Sequence, residues 1–122
     1  MPFEITTTRS FSAAHQLRLY DGSLEPLHGH NWKVQVTVAS DELDGIGVVM
    51  DFHELERLVD RATGPMHNRH LNELEPFAQL NPSAENVALV VARSLRGALP
   101  ARVRIARVVV WETPENFAAY RA

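Results

Sequence analysis

The sequence has no cysteine among its 122 residues. This absence excludes disulfide bonds, thiolate metal ligands and a cysteine nucleophile. Structural zinc sites are usually closed by four ligands that include cysteine, whereas catalytic zinc sites often use three protein ligands and keep one position open. A zinc site in this chain is therefore expected to be of the open, catalytic kind.

Long apolar runs and a basic surface are also missing. No run approaches the eighteen residues of a membrane span, and the start Met1-Pro2-Phe3-Glu4 lacks the pattern of a secretion signal. We therefore expect a cytoplasmic protein with no membrane partner. The formal net charge of −3 argues against a nucleic-acid binder, which usually presents a basic face.

The length and the hydrophobic content of 45% predict one ordered globular domain over residues 1–122. Alternating apolar residues predict strands over Phe3–His15 and His28–Val38, a hairpin return over Ile46–Met50 and a last strand over Arg102–Thr113. A slip in the alternation near Arg107 predicts a bulge in the last strand.

Two helices are predicted between the third and the last strand. Asp51 caps the first, which carries an apolar stripe from Phe52 to Ala62 and ends near Gly64. The second follows Asn81-Pro82-Ser83, with Asn81 or Ser83 as the cap, and ends near Gly97. This order predicts an α+β fold, a four-stranded antiparallel sheet with both helices on one face. Because such a sheet has two open edges, we also expect oligomerisation.

Three histidines form the candidate metal site. His28 and His30 lie at positions i and i+2 of a predicted strand, so both imidazoles project from the same face. His15 ends the preceding strand, and the loop 16–27 can return the chain beside it. On spacing alone, a metal site and a polar pair on a sheet surface both remain open.

Several short motifs occur in order along nearly the whole chain. They are Phe11-Ser12-Ala13-Ala14-His15, Leu27-His28-Gly29-His30-Asn31-Trp32-Lys33-Val34, Val49-Met50-Asp51-Phe52, Leu71-Asn72, Asn81-Pro82-Ser83-Ala84-Glu85-Asn86 and Trp111-Glu112-Thr113. Together they resemble the 6-pyruvoyl-tetrahydropterin synthase / 6-carboxytetrahydropterin synthase family. The resemblance implies the tunnelling fold, in which sheets of several subunits close into a barrel, commonly as a homohexamer built from two trimers.

The resemblance also implies roles for individual residues. His15, His28 and His30 would bind Zn²⁺, and Glu112 would anchor the amino-pyrimidine edge of the pterin. The family substrate is 7,8-dihydroneopterin triphosphate, which loses triphosphate while its side chain is rearranged or cleaved. A bound zinc acts in such a reaction as a Lewis acid on the side-chain oxygens.

The chain departs from the family pattern at the position of the catalytic base. Family members commonly carry a catalytic cysteine shortly before the His-Gly-His motif, whereas this chain has Glu25 three residues before His28. Glu25 resembles the subgroup in which glutamate replaces that cysteine and the product shifts toward 6-hydroxymethyl-dihydropterin. A free carboxylate is a much weaker base than a thiolate, so its surroundings would have to strengthen it.

A second departure concerns the family's Asp-His pair. By alignment on Leu71-Asn72, this pair falls on His67-Asn68, so the expected acid/base histidine is displaced or lost. His67 or His70 is the candidate replacement, because histidine suits proton transfer at neutral pH. The alternative is that either residue is an ordinary histidine of a polar loop.

The first functional hypothesis is thus a zinc-dependent lyase of the 6-carboxytetrahydropterin synthase type, in the queuosine (deazapurine) route. Family abundance favours this product, whereas Glu25 favours 6-hydroxymethyl-dihydropterin for folate synthesis. A non-catalytic homologue that binds zinc and pterin is the hypothesis of another class. A plain oligomeric scaffold is the last alternative, and it requires that the protein bind no zinc.

Overall fold

The computed structural model describes residues 2–122. In chain order, the strands and helices are β1 (Phe3–His15), β2 (His28–Ser40), α1 (Phe52–Thr63), β3 (Arg69–His70), α2 (Ala84–Leu95), β4 (Arg104–Trp111) and β5 (Phe117–Arg121). Short 3-10 turns at Gly64–Met66, Leu71–Glu73 and Glu75–Phe77 join α1 to α2 around β3. The connection between the two helices therefore contains three tight turns and a two-residue strand.

The strands form one five-stranded sheet in the order β3-β1-β2-β4-β5. All neighbours are antiparallel except β1 and β3, which are parallel. The α+β class is confirmed, but the prediction of four antiparallel strands is wrong. The sheet is mixed because the two-residue strand β3 joins the edge of β1, and β5 adds a strand at the other edge.

The predicted hairpin strand at Ile46–Met50 does not form. The Asp44 carboxylate instead accepts hydrogen bonds from the backbone N–H groups of Ile46 and Val48, at 3.0 and 3.2 Å. Gly47 has φ +84°, in the left-handed region that glycine favours. Local capping by a side chain thus folds these residues into a compact loop, in competition with a strand ladder.

The long ladder between β1 and β2 positions the candidate site. Its register pairs His15 with His28 and Ala13 with His30 without interruption. In the neighbouring ladder, Thr37 pairs with Arg107 while Val38 pairs with Ile105, so one extra residue of β4 is bulged there. The predicted slip near Arg107 is confirmed.

Both helices begin at the predicted caps. Asp51 accepts a hydrogen bond from the backbone N–H of His53, and Ser83 accepts one from that of Asn86. A side-chain cap of this kind contributes about 1 kcal/mol to stability. In the apolar stripe of α1, Leu55, Leu58 and Val59 are buried and Ala62 is partly buried, whereas Phe52 is 54% exposed.

The core lies between the helices and one face of the sheet. Its fully buried members include Trp32, Val34, Val36, Leu55, Val59, Val87, Val91, Val108 and Val110. The prediction that both helices cover one face is thereby confirmed. Within residues 2–122, no helix is long and apolar enough to cross a membrane.

Candidate metal centre

The strand ladder brings the three predicted histidines together. His15 ends β1 and His28 begins β2, so the two residues are direct cross-strand partners, and His30 follows on the same face. Trp32 lies next along β2 and is fully buried, with its indole N–H donating to the carbonyl of Ala13 at 3.1 Å. Its ring meets the imidazoles of His15 and His30 edge-on, which limits their rotation.

The ligating atoms of the cluster converge. The Nε2 atoms of His15 and His28 are 3.0 Å apart, and Glu112 Oε1 lies 3.2 Å from Nε2 of His15 and 3.0 Å from Nε2 of His30. All four ligand atoms lie within 4.8 Å of one another. Tetrahedral zinc with bonds of about 2.0 to 2.1 Å separates its ligand atoms by about 3.3 Å. The four residues therefore have the composition and spacing to hold a metal ion.

Backbone carbonyls fix the orientation of two imidazoles. His15 Nδ1 lies 2.7 Å from the carbonyl oxygen of Pro82, and His28 Nδ1 lies 2.9 Å from that of Pro26. A neutral imidazole that donates from Nδ1 keeps its lone pair on Nε2, the tautomer that a metal requires at these positions. Both carbonyls thus direct Nε2 toward the common centre.

The surroundings of His30 independently support a role as a metal ligand. Its Nε2 atom is buried and has no hydrogen-bond partner in the described part of the chain, although Glu112 Oε1 is near. Burial lowers the pKa of His30 below its usual value of 6.5, the Glu112 carboxylate opposes this shift, and the two neighbouring histidines add to it. Metal ligation needs the neutral imidazole, which this environment favours.

Glu25 lies at the edge of the cluster. One of its carboxylate oxygens, Oε1, accepts a hydrogen bond from the backbone N–H of Leu17 at 3.0 Å and lies 3.9 Å from His28 Nε2. Gln16 donates from its side chain to the Glu25 carbonyl at 3.0 Å. These contacts hold a partly buried carboxylate beside the histidines.

Two asparagine side chains fix the loop that carries Glu25. Asn72 accepts from the backbone N–H of Gln16 and donates to its carbonyl, at 3.0 and 2.7 Å. Asn81 forms the same reciprocal pair with Arg18, at 2.8 and 3.0 Å. These side-chain amides satisfy the backbone N–H and C=O groups of Gln16 and Arg18, much as a neighbouring strand would. They thereby fix the path of the chain after His15.

The comparisons with known proteins agree with this arrangement. The family described as 6-pyruvoyl tetrahydropterin synthase matches residues 4–122.

The chain belongs to the 6-pyruvoyl tetrahydropterin synthase family. It is 34% identical over 115 residues to dihydroneopterin monophosphate aldolase of Pyrococcus furiosus, covering 94% of each chain. It is 33% identical over 127 residues to 6-carboxy-5,6,7,8-tetrahydropterin synthase of Bacillus subtilis, covering 98% of this chain and 85% of that relative. Members of this family are lyases of pterin biosynthesis.

Among solved structures, 6-pyruvoyl tetrahydropterin synthase of Caenorhabditis elegans superposes with a TM-score of 0.83 at 25% identity, covering 98% of this chain and 95% of the other. The Plasmodium vivax synthase superposes with a TM-score of 0.81 at 19% identity, covering 98% and 97%. The α+β fold with two helices and a five-stranded sheet is thus the fold of the family.

The structure does not bring His67 or His70 into the metal-ligating cluster of the described residues. His67 is exposed, and its Nδ1 accepts a hydrogen bond from the backbone N–H of Ser12 at 3.1 Å. His70 Nδ1 lies 3.2 Å from Glu73 Oε1, while its Nε2 is buried without a hydrogen-bond partner in the described chain. Each histidine therefore has its Nδ1 engaged, and the two differ in that the free Nε2 of His70 is buried whereas His67 is exposed.

Sequence reasoning missed the groups that orient the histidines. The carbonyls of Pro26 and Pro82 carry no side-chain signal, so only the folded backbone reveals them. Asn72 and Asn81 belong to motifs that the sequence did single out, but their bonds to Gln16 and Arg18 span more than fifty residues. The placement of Glu112 among the histidine nitrogens was likewise not predicted from the spacing.

Proposed function

We propose that this protein is a zinc-dependent lyase that cleaves the side chain of a 7,8-dihydroneopterin phosphate and releases 6-hydroxymethyl-7,8-dihydropterin. The observation that carries the proposal is the Glu25 carboxylate, 3.9 Å from His28 Nε2, where the family commonly uses a cysteine. The similarity to the Pyrococcus furiosus aldolase supports the same product class. Structures of the Plasmodium vivax synthase in which a catalytic glutamate is replaced by alanine or cysteine supply a parallel.

The donor set suits zinc. Nε2 of His15, His28 and His30 would hold the ion, and the unpartnered Nε2 of His30 is the buried atom that the ion would satisfy. When bound, zinc supplies Lewis acidity to the hydroxyl oxygens of the pterin side chain. The chain's own residues must then position the substrate and move its protons.

Glu25 is proposed as the base. It takes the proton of the 2′-hydroxyl, the C1′–C2′ bond breaks as the 2′-oxygen becomes an aldehyde, and the bonding electrons pass into the C6=N5 imine of the dihydropterin. A proton returned to C1′ completes 6-hydroxymethyl-7,8-dihydropterin. Positioned proton transfer of this kind contributes about 10² to 10⁴-fold to a rate. Of the two loop histidines, we favour His70 over His67 as the second proton-transfer group, because its Nε2 is buried and unpartnered whereas His67 is exposed.

Glu112 is proposed to anchor the pterin. A carboxylate offers two acceptors to the paired N–H donors of an amino-pyrimidine edge. Its Oε1 lies 3.0 Å from His30 Nε2, so the anchored ring would be held beside the metal ligands. The same proximity allows a second role, as a metal ligand that closes the site until substrate binds.

The second candidate function is the 6-carboxytetrahydropterin synthase reaction on 7,8-dihydroneopterin triphosphate, in the queuosine route. The Bacillus subtilis relative favours it, since the similarity covers 98% of this chain. The two candidates use the same metal and the same ring anchor. They differ in which side-chain bonds break, so the products separate them.

Product analysis tests the proposal. Zinc-loaded protein is incubated with 7,8-dihydroneopterin monophosphate and, separately, with the triphosphate, and the pterins are identified by mass spectrometry. We expect 6-hydroxymethyl-7,8-dihydropterin, and none after chelation of the metal. Formation of 6-carboxytetrahydropterin would establish the second candidate instead. Tight pterin binding without any product would mark a non-catalytic homologue.

A further inference from the structure

The carboxylate of Glu25 is held by one peptide unit, which joins Gln16 to Leu17. The N–H of this peptide, contributed by Leu17, donates to Glu25 Oε1 at 3.0 Å. The other carboxylate oxygen, Oε2, makes no hydrogen bond within residues 2–122, and the side chain is 25% exposed. The peptide therefore fixes one oxygen of the proposed base and leaves the other available to a substrate hydroxyl.

The opposite end of the same peptide unit is held by Asn72. Its Nδ2 atom donates to the Gln16 carbonyl at 2.7 Å, while its Oδ1 accepts from the backbone N–H of Gln16 at 3.0 Å. A trans peptide unit is planar, with its C=O and N–H groups pointing in opposite directions, so a contact that fixes the carbonyl also fixes the direction of the N–H. Hydrogen bonds in such a chain also polarise one another. Asn72 is thus connected to the Glu25 carboxylate through this peptide.

The fold places Asn72 beside Gln16. In the parallel ladder, Ala14 of β1 pairs with His70 of β3, so two residues further along both segments Gln16 and Asn72 lie next to each other. The backbone has by then entered a 3-10 turn, whose first residue, Leu71, is fully buried in the core. The side-chain amide of Asn72 takes the place of a ladder backbone and bonds to both backbone groups of Gln16.

Asn81 makes a matching pair of bonds with Arg18 but is connected to a different part of Glu25. It accepts from the Arg18 N–H at 2.8 Å and donates to the Arg18 carbonyl at 3.0 Å. The peptide that joins Leu17 to Arg18 accepts, through its carbonyl, a hydrogen bond from the backbone N–H of Glu25 at 3.0 Å. Asn81 therefore supports the backbone of Glu25, whereas Asn72 supports its carboxylate.

We infer that Asn72 is a positioning residue for the proposed reaction, which holds the Glu25 carboxylate in its proton-accepting orientation through the peptide between Gln16 and Leu17. The inference rests on the proposed function, because it takes Glu25 as the base. A small displacement of a reacting group costs a large factor in rate, so loss of this support should slow the chemical step more than it weakens substrate binding.

Steady-state kinetics of the zinc-loaded protein with 7,8-dihydroneopterin monophosphate test this role. Asn72→Ala removes both bonds to Gln16, and we expect kcat to fall by about ten- to a hundredfold while KM and zinc content change by less than about twofold. Asn81→Ala is the matched control, because it removes the equivalent pair of bonds to Arg18 and leaves the peptide that holds the carboxylate in place. Its kcat should fall less than that of Asn72→Ala. Equal losses in the two variants would assign the effect to the loop as a whole and overturn the role of Asn72.

A double variant separates action through Glu25 from a general loss of structure. Because Asn72 acts through this carboxylate, Asn72→Ala should cost less than about twofold in kcat when Glu25→Gln is already present. A second full loss in the double variant would overturn the role of Asn72. Asn72→Asp keeps the acceptor for the Gln16 N–H and loses the donor to the Gln16 carbonyl, so it supplies the same comparison if the alanine variant does not fold.

Amide hydrogen exchange at Leu17 reports the same contact without turnover. The Leu17 amide should exchange about tenfold faster in Asn72→Ala than in the wild type, because its hydrogen bond to Glu25 is weakened, and Asn81→Ala should change it less. A protein that forms no product but shows this dependence on Asn72 would retain the positioning contact and overturn the proposed lyase activity. Product formation with unchanged kcat and unchanged Leu17 exchange in Asn72→Ala would retain the lyase activity and overturn the inference.

Discussion

At the scale of single residues, four imidazoles and two carboxylates account for the proposed chemistry. The period-two spacing of His28 and His30 was enough to predict that they share a face, and the strand end before the loop 16–27 added His15 as the third candidate. The orienting carbonyls of Pro26 and Pro82 could not be predicted, because they depend on where distant loops pass the rings. The convergence of the three histidines was thus predictable from the sequence, whereas the groups that orient them were not.

Replacing Glu25 by glutamine tests the base. The amide oxygen can still accept the hydrogen bond from Leu17, so the loop should keep its path. We expect kcat for lyase activity to fall by about two to four orders of magnitude with zinc content unchanged. The exposed Glu115→Gln variant serves as the control. Full activity in Glu25→Gln would assign the base to another residue.

Glu112→Gln separates the two roles of Glu112. If Glu112 anchors the pterin, the substitution should weaken pterin binding by about tenfold or more, because a charge-assisted hydrogen bond is lost. The variant should still bind one zinc per chain. Calorimetry with a pterin and metal analysis of the same sample measure both. Loss of zinc, with normal pterin affinity once zinc is saturating, would make Glu112 a metal ligand instead.

At the scale of elements, alternation and capping signals predicted the longest strands and both helices. They failed at Ile46–Met50, where the Asp44 side chain competes for the backbone, and at β3, whose two residues are too few to carry a pattern. The short edge strand β5 was missed as well, although Tyr120 and Ala118 pack against the core. Short elements depend on contacts with neighbours that local periodicity does not record.

The Asp44 loop predicts a pH-dependent stability. Hydrogen bonds from the backbone N–H groups of Ile46 and Val48 lower the pKa of Asp44 below its usual value of 3.8. The stabilisation is therefore complete above the unfolded pKa and is lost as the pH falls through the lower folded pKa. In urea titrations, Asp44→Ala should be less stable than the wild type near neutrality, and the difference should shrink below pH 3.8. A difference independent of pH would refute this account.

At the scale of the whole molecule, the sheet has open edges. The ladder between β1 and β3 covers only Ala13 and Ala14, so most of the outer edge of β1 has no strand beside it within residues 2–122. The strand at the opposite edge, β5, also has a neighbour on one side only. Unpaired edges favour association with other strands.

Assembly into a barrel remains a prediction, and so do the cytoplasmic location and the lack of a nucleic-acid partner. The family resemblance implies closure of these edges in a homohexamer built from two trimers, with six times the chain mass of 13.7 kDa. Light scattering on the purified protein measures this mass directly. A stable monomer would contradict closure of the sheet edges by neighbouring subunits.

The most direct test of the account is anomalous diffraction at the zinc absorption edge from crystals of the zinc-loaded protein. We predict one peak per chain at about 2.0 to 2.1 Å from Nε2 of His15, His28 and His30. The peak should be absent from His28→Ala crystals that retain the fold. A zinc peak elsewhere, or none at saturating zinc, would contradict the metal centre on which the proposed lyase activity depends.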